Sequence, residues 1–150
     1  MIKFDKAYNV NPKGRKTSDC VIRAIAYASC QSWEKVFEDL CVIAKKKCSV
    51  INEKSVYEEY LDNLGFEKHK QPKWDDGTKF TVYEGDRVFN SQKEDVIVSV
   101  ANHLTCIDNN ELIDTWNCRN KCIGNYWTRP KTNGVRPLNN AKPTKTRVYL

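Results

Sequence analysis

From Asp19 to Cys30 the chain carries Val21, Ile22, Ala24, Ile25, Ala26 and Ala28, a helix-forming run that is apolar on most of its sides. A helix lying on the surface of a domain needs only one apolar stripe, so a helix apolar nearly all round belongs in the middle of a fold. The rest of the chain must therefore wrap this segment. Cys20 sits at the beginning of the same run, where the exposed backbone N–H groups and the positive end of the helix dipole push a thiol toward thiolate.

Two further helical segments follow. Ser32 is placed to cap a helix over Trp33–Lys46, in which Trp33, Val36, Phe37, Leu40, Cys41 and Ala44 recur at one-sided helical spacing. A third helix is expected over about Asn52–Leu64, burying Val56, Tyr57, Tyr60, Leu61 and Leu64, with Gly65 terminating it in the left-handed conformation. Beyond it the pattern changes to strands. Gln71–Gly77 reads as a loop and Lys79–Phe89 as an interrupted strand. Val96–Val100 and Leu104–Ile107 read as buried strands, Asp108-Asn109-Asn110 as a hairpin turn before Leu112–Asp114, and Cys122–Trp127 as a closing strand. The sum is an α+β domain, helices first and an antiparallel sheet second.

A chain of 150 residues has room for one domain with a substantial core. Hydrophobic content of 40% and charged content of 29% are those of a folded protein and exclude a disordered one. No apolar run approaches the roughly 18 residues of a membrane helix, and the start, Met1 to Lys6, lacks the features of a secretory signal, so a cytoplasmic protein without membrane association is expected. The seven cysteines are odd in number, and in that compartment reduced thiols are expected, Cys30 and Cys41 acting as small buried hydrophobes.

Charge divides the chain. Residues 128–150 hold six basic side chains (Arg129, Lys131, Arg136, Lys142, Lys145, Arg147) and no acid, so the net charge of +6 resides there and residues 1–127 balance. The segment also holds Pro130, Pro137 and Pro143. The expected organisation is a folded domain over residues 1–127 and a basic, proline-containing tail over residues 128–150, either a solvated wrapper pinned by Val148-Tyr149-Leu150 or an electrostatic arm for nucleic acid.

His103 opens a strand that turns back toward Asp114. Across a turn centred near Asn109 the two residues are neighbours, which supplies a base and its orienter for the Cys20 nucleophile. Asn117 is an alternative orienter. His69, in the charged stretch Glu67-Lys68-His69-Lys70, is read as solvent-exposed. A competing arrangement would gather His103, Cys106, Cys118 and Cys122 around zinc, but their spacing lacks paired knuckles, so neither a metal nor a cofactor is expected.

The stretch Asp19-Cys20-Val21-Ile22-Arg23-Ala24-Ile25-Ala26, with Trp33 and Leu40, Asn102-His103-Leu104, Ile113-Asp114-Thr115-Trp116 and Gly124-Asn125-Tyr126-Trp127, resembles small papain-fold proteins common in phages and prophages. It is similar, more distantly, to the leader peptidases that cut after double-glycine signals. The resemblance covers most of residues 11–127. It implies a papain-like cysteine peptidase fold with Cys20 as nucleophile, His103 as base and Asp114 as third member, acting on a peptide or protein through a thioester. The pattern departs from that family in having no glutamine upstream of Cys20. Asn9 or Asn11 is expected to bring an amide to the oxyanion beside the Cys20 N–H. The alternative is a weak or inactive papain-fold protein that occludes a host protein or nucleic acid.

Overall fold

Helix α1 (Cys20–Ser29) is buried at every residue from Val21 to Ser29 and stops where Cys30 turns left-handed, with φ of 55°. The chain adopts this arrangement in a computed structural model that describes residues 1–143. Helix α2 (Trp33–Lys46) is started by Ser32, whose Oγ accepts the Lys35 N–H at 3.1 Å, and ends on Lys45 and Lys46, cations that suit the negative end of its dipole. Its buried side is Val36, Leu40, Ile43 and Ala44. Phe37 is 39% exposed and stacks on Trp33 instead, ring centroids 5.3 Å apart. Helix α3 (Lys54–Asn63) is shorter at both ends than its periodicity predicts, and Gly65 follows it with φ of 86°. Val36, Leu40, Val56 and Leu61 from α2 and α3 are fully buried in one cluster with α1.

Five antiparallel strands form the sheet, in the order β1 (Glu67–His69), β5 (Tyr126–Pro130), β2 (Glu94–Val100), β3 (His103–Asp108), β4 (Glu111–Ile113). The side chains of Ile97, Leu104, Cys106 and Trp127 join the α1 cluster. Val96, Val98, Val100, Ile107 and Leu112 belong to a second core with Ile2, Val82, Phe89 and Ile123, so both faces of the sheet are covered. Val100 pairs with His103 across a two-residue turn in which Asn102 takes φ of 52°, and this makes His103 the first residue of β3. The β3–β4 turn uses left-handed Asn109 and Asn110, the side chain best suited to that conformation after glycine.

Three expectations are corrected. Lys79–Phe89 is not a strand: Val82–Arg87 forms a short 3₁₀ helix started by reciprocal bonds between Thr81 and Glu84, a capping box that competes with extended structure. His69 is not a solvated loop residue. It ends β1, stacks on Tyr126 at 4.5 Å and bonds the Thr128 hydroxyl at 2.8 Å through Nε2.

The third correction is the tail. The closing strand begins at Tyr126 rather than Cys122 and runs to Pro130, so the boundary drawn at residue 127 cuts through β5. In β5 and beyond it, the basic residues neutralise buried Asp95 and half-buried Asp108 of the domain. Asp95, 3% exposed, accepts from Arg129 Nε at 3.1 Å, Arg136 Nη2 at 2.9 Å and the Thr132 N–H at 3.1 Å. Lys131 pairs with Asp108. Arg136 Nη1 also donates to the carbonyls of Tyr27 and Ala28 at 2.9 and 2.8 Å, capping the C-terminal turn of α1. Neither a solvated wrapper nor a free arm describes residues 128–143. The Val148-Tyr149-Leu150 pin, and the bases Lys145 and Arg147, lie outside the described residues.

Candidate active site

Cys20 occupies the first position of α1, and Asp19 before it makes no side-chain cap to the helix. The first-turn N–H groups beside the sulfur therefore keep their donors free of that carboxylate. Across from the helix start, β3 brings His103 and Leu104 to the cavity that the Cys20 thiol also lines, where both favour ionisation of the sulfur. His103 Nε2 meets Asp114 Oδ2 at 2.5 Å, which leaves Nδ1 as the ring nitrogen for sulfur. The register explains the meeting. Cys106 pairs with Ile113 and Ile107 with Leu112, so Asp114 continues opposite Thr105, two residues from His103 and on the same face.

Asp114 is 1% exposed, and its Oδ1 accepts the Thr115 N–H at 2.7 Å and Arg23 Nη1 at 3.1 Å. Burial by itself would raise its pKa, but the His103 bond and the Arg23 charge hold the carboxyl below the ordinary range. His103 responds in the opposite sense: burial lowers it, while Asp114 and Cys20 raise it to about 9. For Cys20, burial pushes the thiol up, and the His103 and Leu104 bonds with the nearby cationic charge bring it below its usual value. The two shifts together favour a thiolate–imidazolium pair.

A cavity of about 500 Å³ opens beside the sulfur, floored by Val21, Tyr57 and Leu104 and rimmed by Asn52, Lys54 and Asn102. On the imidazole, the Trp116 indole stands edge to face, with centroids 5.0 Å apart and an interplanar angle of 82°. Trp116 is 41% exposed, and Lys121 Nζ lies 5.9 Å from the centre of its ring.

Sequence reasoning did not identify the layer behind the triad. Arg23 also bonds Asp19 Oδ1 at 2.8 Å, and Asp19 Oδ2 accepts from Asn11 Nδ2 at 3.1 Å and the Trp33 indole N–H at 3.0 Å. The readable signal was the Asp19/Arg23 spacing of four along an apolar helix, since buried charges occur in pairs. Asn9 and Asn11 are both buried in this layer. Asn9 Nδ2 donates to the Arg15 carbonyl at 3.2 Å, Asn11 Nδ2 to Asp19, and neither lines the Cys20 cavity, which corrects their assignment as oxyanion donors. Asn117 is exposed and its Oδ1 takes the Arg119 Nε at 2.9 Å, so it does not orient His103.

The four-ligand zinc arrangement is not assembled. His103, Asp114 and Cys118 bring ligand atoms within 4.8 Å of one another, but Cys106 is buried against α1 and Cys122 is exposed. No helix among the described residues is long and apolar enough to cross a membrane. Comparison with protein-family models, with curated proteins and with solved structures finds no match to this chain.

Proposed function

We propose that this protein is a thiol-dependent hydrolase of the papain-like kind, cleaving a peptide, isopeptide or related amide bond. One observation carries the reading: Cys20 at a helix start shares a cavity wall with His103, whose Nε2 is held by the buried Asp114 at 2.5 Å. In the reaction, Cys20 Sγ attacks the substrate carbonyl carbon. The negative charge that develops on oxygen is stabilised by the Cys20 N–H and the positive end of α1. His103 Nδ1 gives its proton to the departing amine as the C–N bond breaks, leaving a thioester. Water then attacks the thioester carbon, His103 accepts its proton, and the C–S bond breaks to release the acid and the thiolate. Asp114 fixes the ring tautomer and stabilises the imidazolium throughout.

Iodoacetamide footprinting by mass spectrometry across the seven thiols tests the pair. Half-buried Cys20 should be alkylated faster than exposed Cys48 and Cys122, and His103→Ala should remove the advantage. Equal or slower labelling at Cys20 would overturn the activated nucleophile and favour a non-enzymatic occluding protein. Cys20→Ala should abolish turnover of any responsive amide or thioester substrate with the fold retained.

A further inference from the structure

On the flank of the triad away from the Cys20 cavity, the loop from Asn11 to Thr17 faces the end of the described tail, and the two enclose a second cavity of about 620 Å³. Its wall carries Lys13, Arg15, Lys16 and Lys142, and among the described residues no carboxylate lines it. Among the described residues none of these four cations forms an ion pair, whereas Arg129, Lys131 and Arg136 of the same basic segment are each paired with Asp95 or Asp108. Four like charges gathered around one hollow repel one another, and a multiply charged anion would reverse that cost.

The walls are held by internal bonds rather than by the cations. Asn11 Oδ1 accepts the N–H groups of Lys13 and Arg15 at 3.0 and 3.2 Å. Gly14 has φ of 62°, and the Asn140 carbonyl oxygen lies 2.6 Å from where its Cβ would be, so only glycine permits the tail to close on the loop. Asn140 N–H donates to the Asn9 carbonyl at 2.7 Å and Asn140 Nδ2 to the Asn11 carbonyl at 3.1 Å. The buried asparagines Asn9 and Asn11 thus shape this cavity rather than the oxyanion site.

We propose that this cavity binds a small oligophosphate anion, an inorganic or nucleoside di- or triphosphate. The volume falls in the range of roughly 300 to 1,000 Å³ typical of small-molecule sites, and a bounded concavity suits a compact ligand rather than a tracked strand. Arg15 offers a planar fork for phosphate oxygens and the three lysines act as point charges. Thr115, on the same wall, follows Asp114 directly and donates its N–H to that carboxylate, so the cavity lies one residue from the triad.

Titration calorimetry of the full chain with inorganic triphosphate tests the site. One equivalent should bind, and Arg15→Ala with Lys16→Ala should weaken it by about tenfold or more, as should Lys13→Ala with Lys142→Ala. Lys45→Ala with Lys46→Ala, removing exposed lysines at the end of α2, should change affinity by less than about twofold, since scattered surface charges contribute little. Cys20→Ala should bind triphosphate as the unaltered chain does, which separates this site from the hydrolase reading. Absence of binding at millimolar triphosphate, or equal losses in the cavity and α2 variants, would overturn the proposal. Binding of a single-stranded oligonucleotide that triphosphate does not displace would overturn it in favour of an extended polyanion.

Discussion

Arg23 reaches from the second turn of α1 to Asp114, 3.1 Å from Nη1 to Oδ1, and so ties the helix that carries Cys20 to the carboxylate that holds His103. The same guanidinium holds Asp19 at 2.8 Å, and all three side chains are nearly excluded from solvent. The network fixes the helix start against the sheet edge, and with it the distance over which thiol and imidazole meet.

Arg23→Leu should therefore be severe. It leaves buried Asp19 without its cation and Asp114 with His103 alone, a change that costs about 3 to 5 kcal/mol where a buried pair is broken from one side. Urea unfolding of the variant at neutral pH should show that loss. A loss below about 1 kcal/mol would mean that water enters the network and screens it.

The coupled shifts at Cys20 and His103 set a pH dependence for alkylation and turnover. The reactive form needs the thiol ionised and the imidazole protonated. Because the Cys20 pKa is depressed, reactivity should already be high below the usual thiol range and fall only on further acidification. Turnover should fall on the alkaline side as His103 loses its proton near pH 9, because the leaving amine then has no acid. Asp114→Asn removes the bond that raises His103, so the alkaline limb should move down toward the ordinary imidazole value of about 6.5. An alkaline limb unmoved by that substitution would show that Asp114 does not act through the ring.

How far the sequence discloses this arrangement depends on the range of the interaction. Helices α1 and α2 and the Asn109–Asn110 turn are written in local periodicity, caps and turn chemistry, and the sequence places them within a residue or two. His103 and Asp114 were legible because a short hairpin brings them together, whereas Trp116, which lies beyond the end of β4 and packs on the imidazole, carried no such signal. Asn9 and Asn11 were misassigned because proximity in sequence to Cys20 does not say which way an amide turns. The 3₁₀ helix at Val82–Arg87 was hidden for a different reason: alternating and aromatic residues suggested a strand, and the Thr81/Glu84 capping box won. The pairing of Arg129 and Arg136 with Asp95, more than thirty residues away, has no local signal at all.

That pairing reverses the behaviour first expected of the C-terminal segment. A tail carrying unneutralised charge could be removed without harm, whereas one that neutralises Asp95 and caps α1 cannot. Ending the chain at Pro130 deletes Lys131, Thr132 and Arg136, leaving Asp95 with Arg129 alone, Asp108 without Lys131, and the Tyr27 and Ala28 carbonyls without their donor. Each buried group that loses its partner costs about 1 to 3 kcal/mol, so the truncated chain should unfold at markedly lower urea concentration or fail to fold. Arg136→Ala isolates the effect: it should destabilise by at least about 2 kcal/mol, because it removes a buried ion pair and a helix cap together. Truncation that left the urea midpoint unchanged would show instead that residues 131–143 rest on the domain without supporting it.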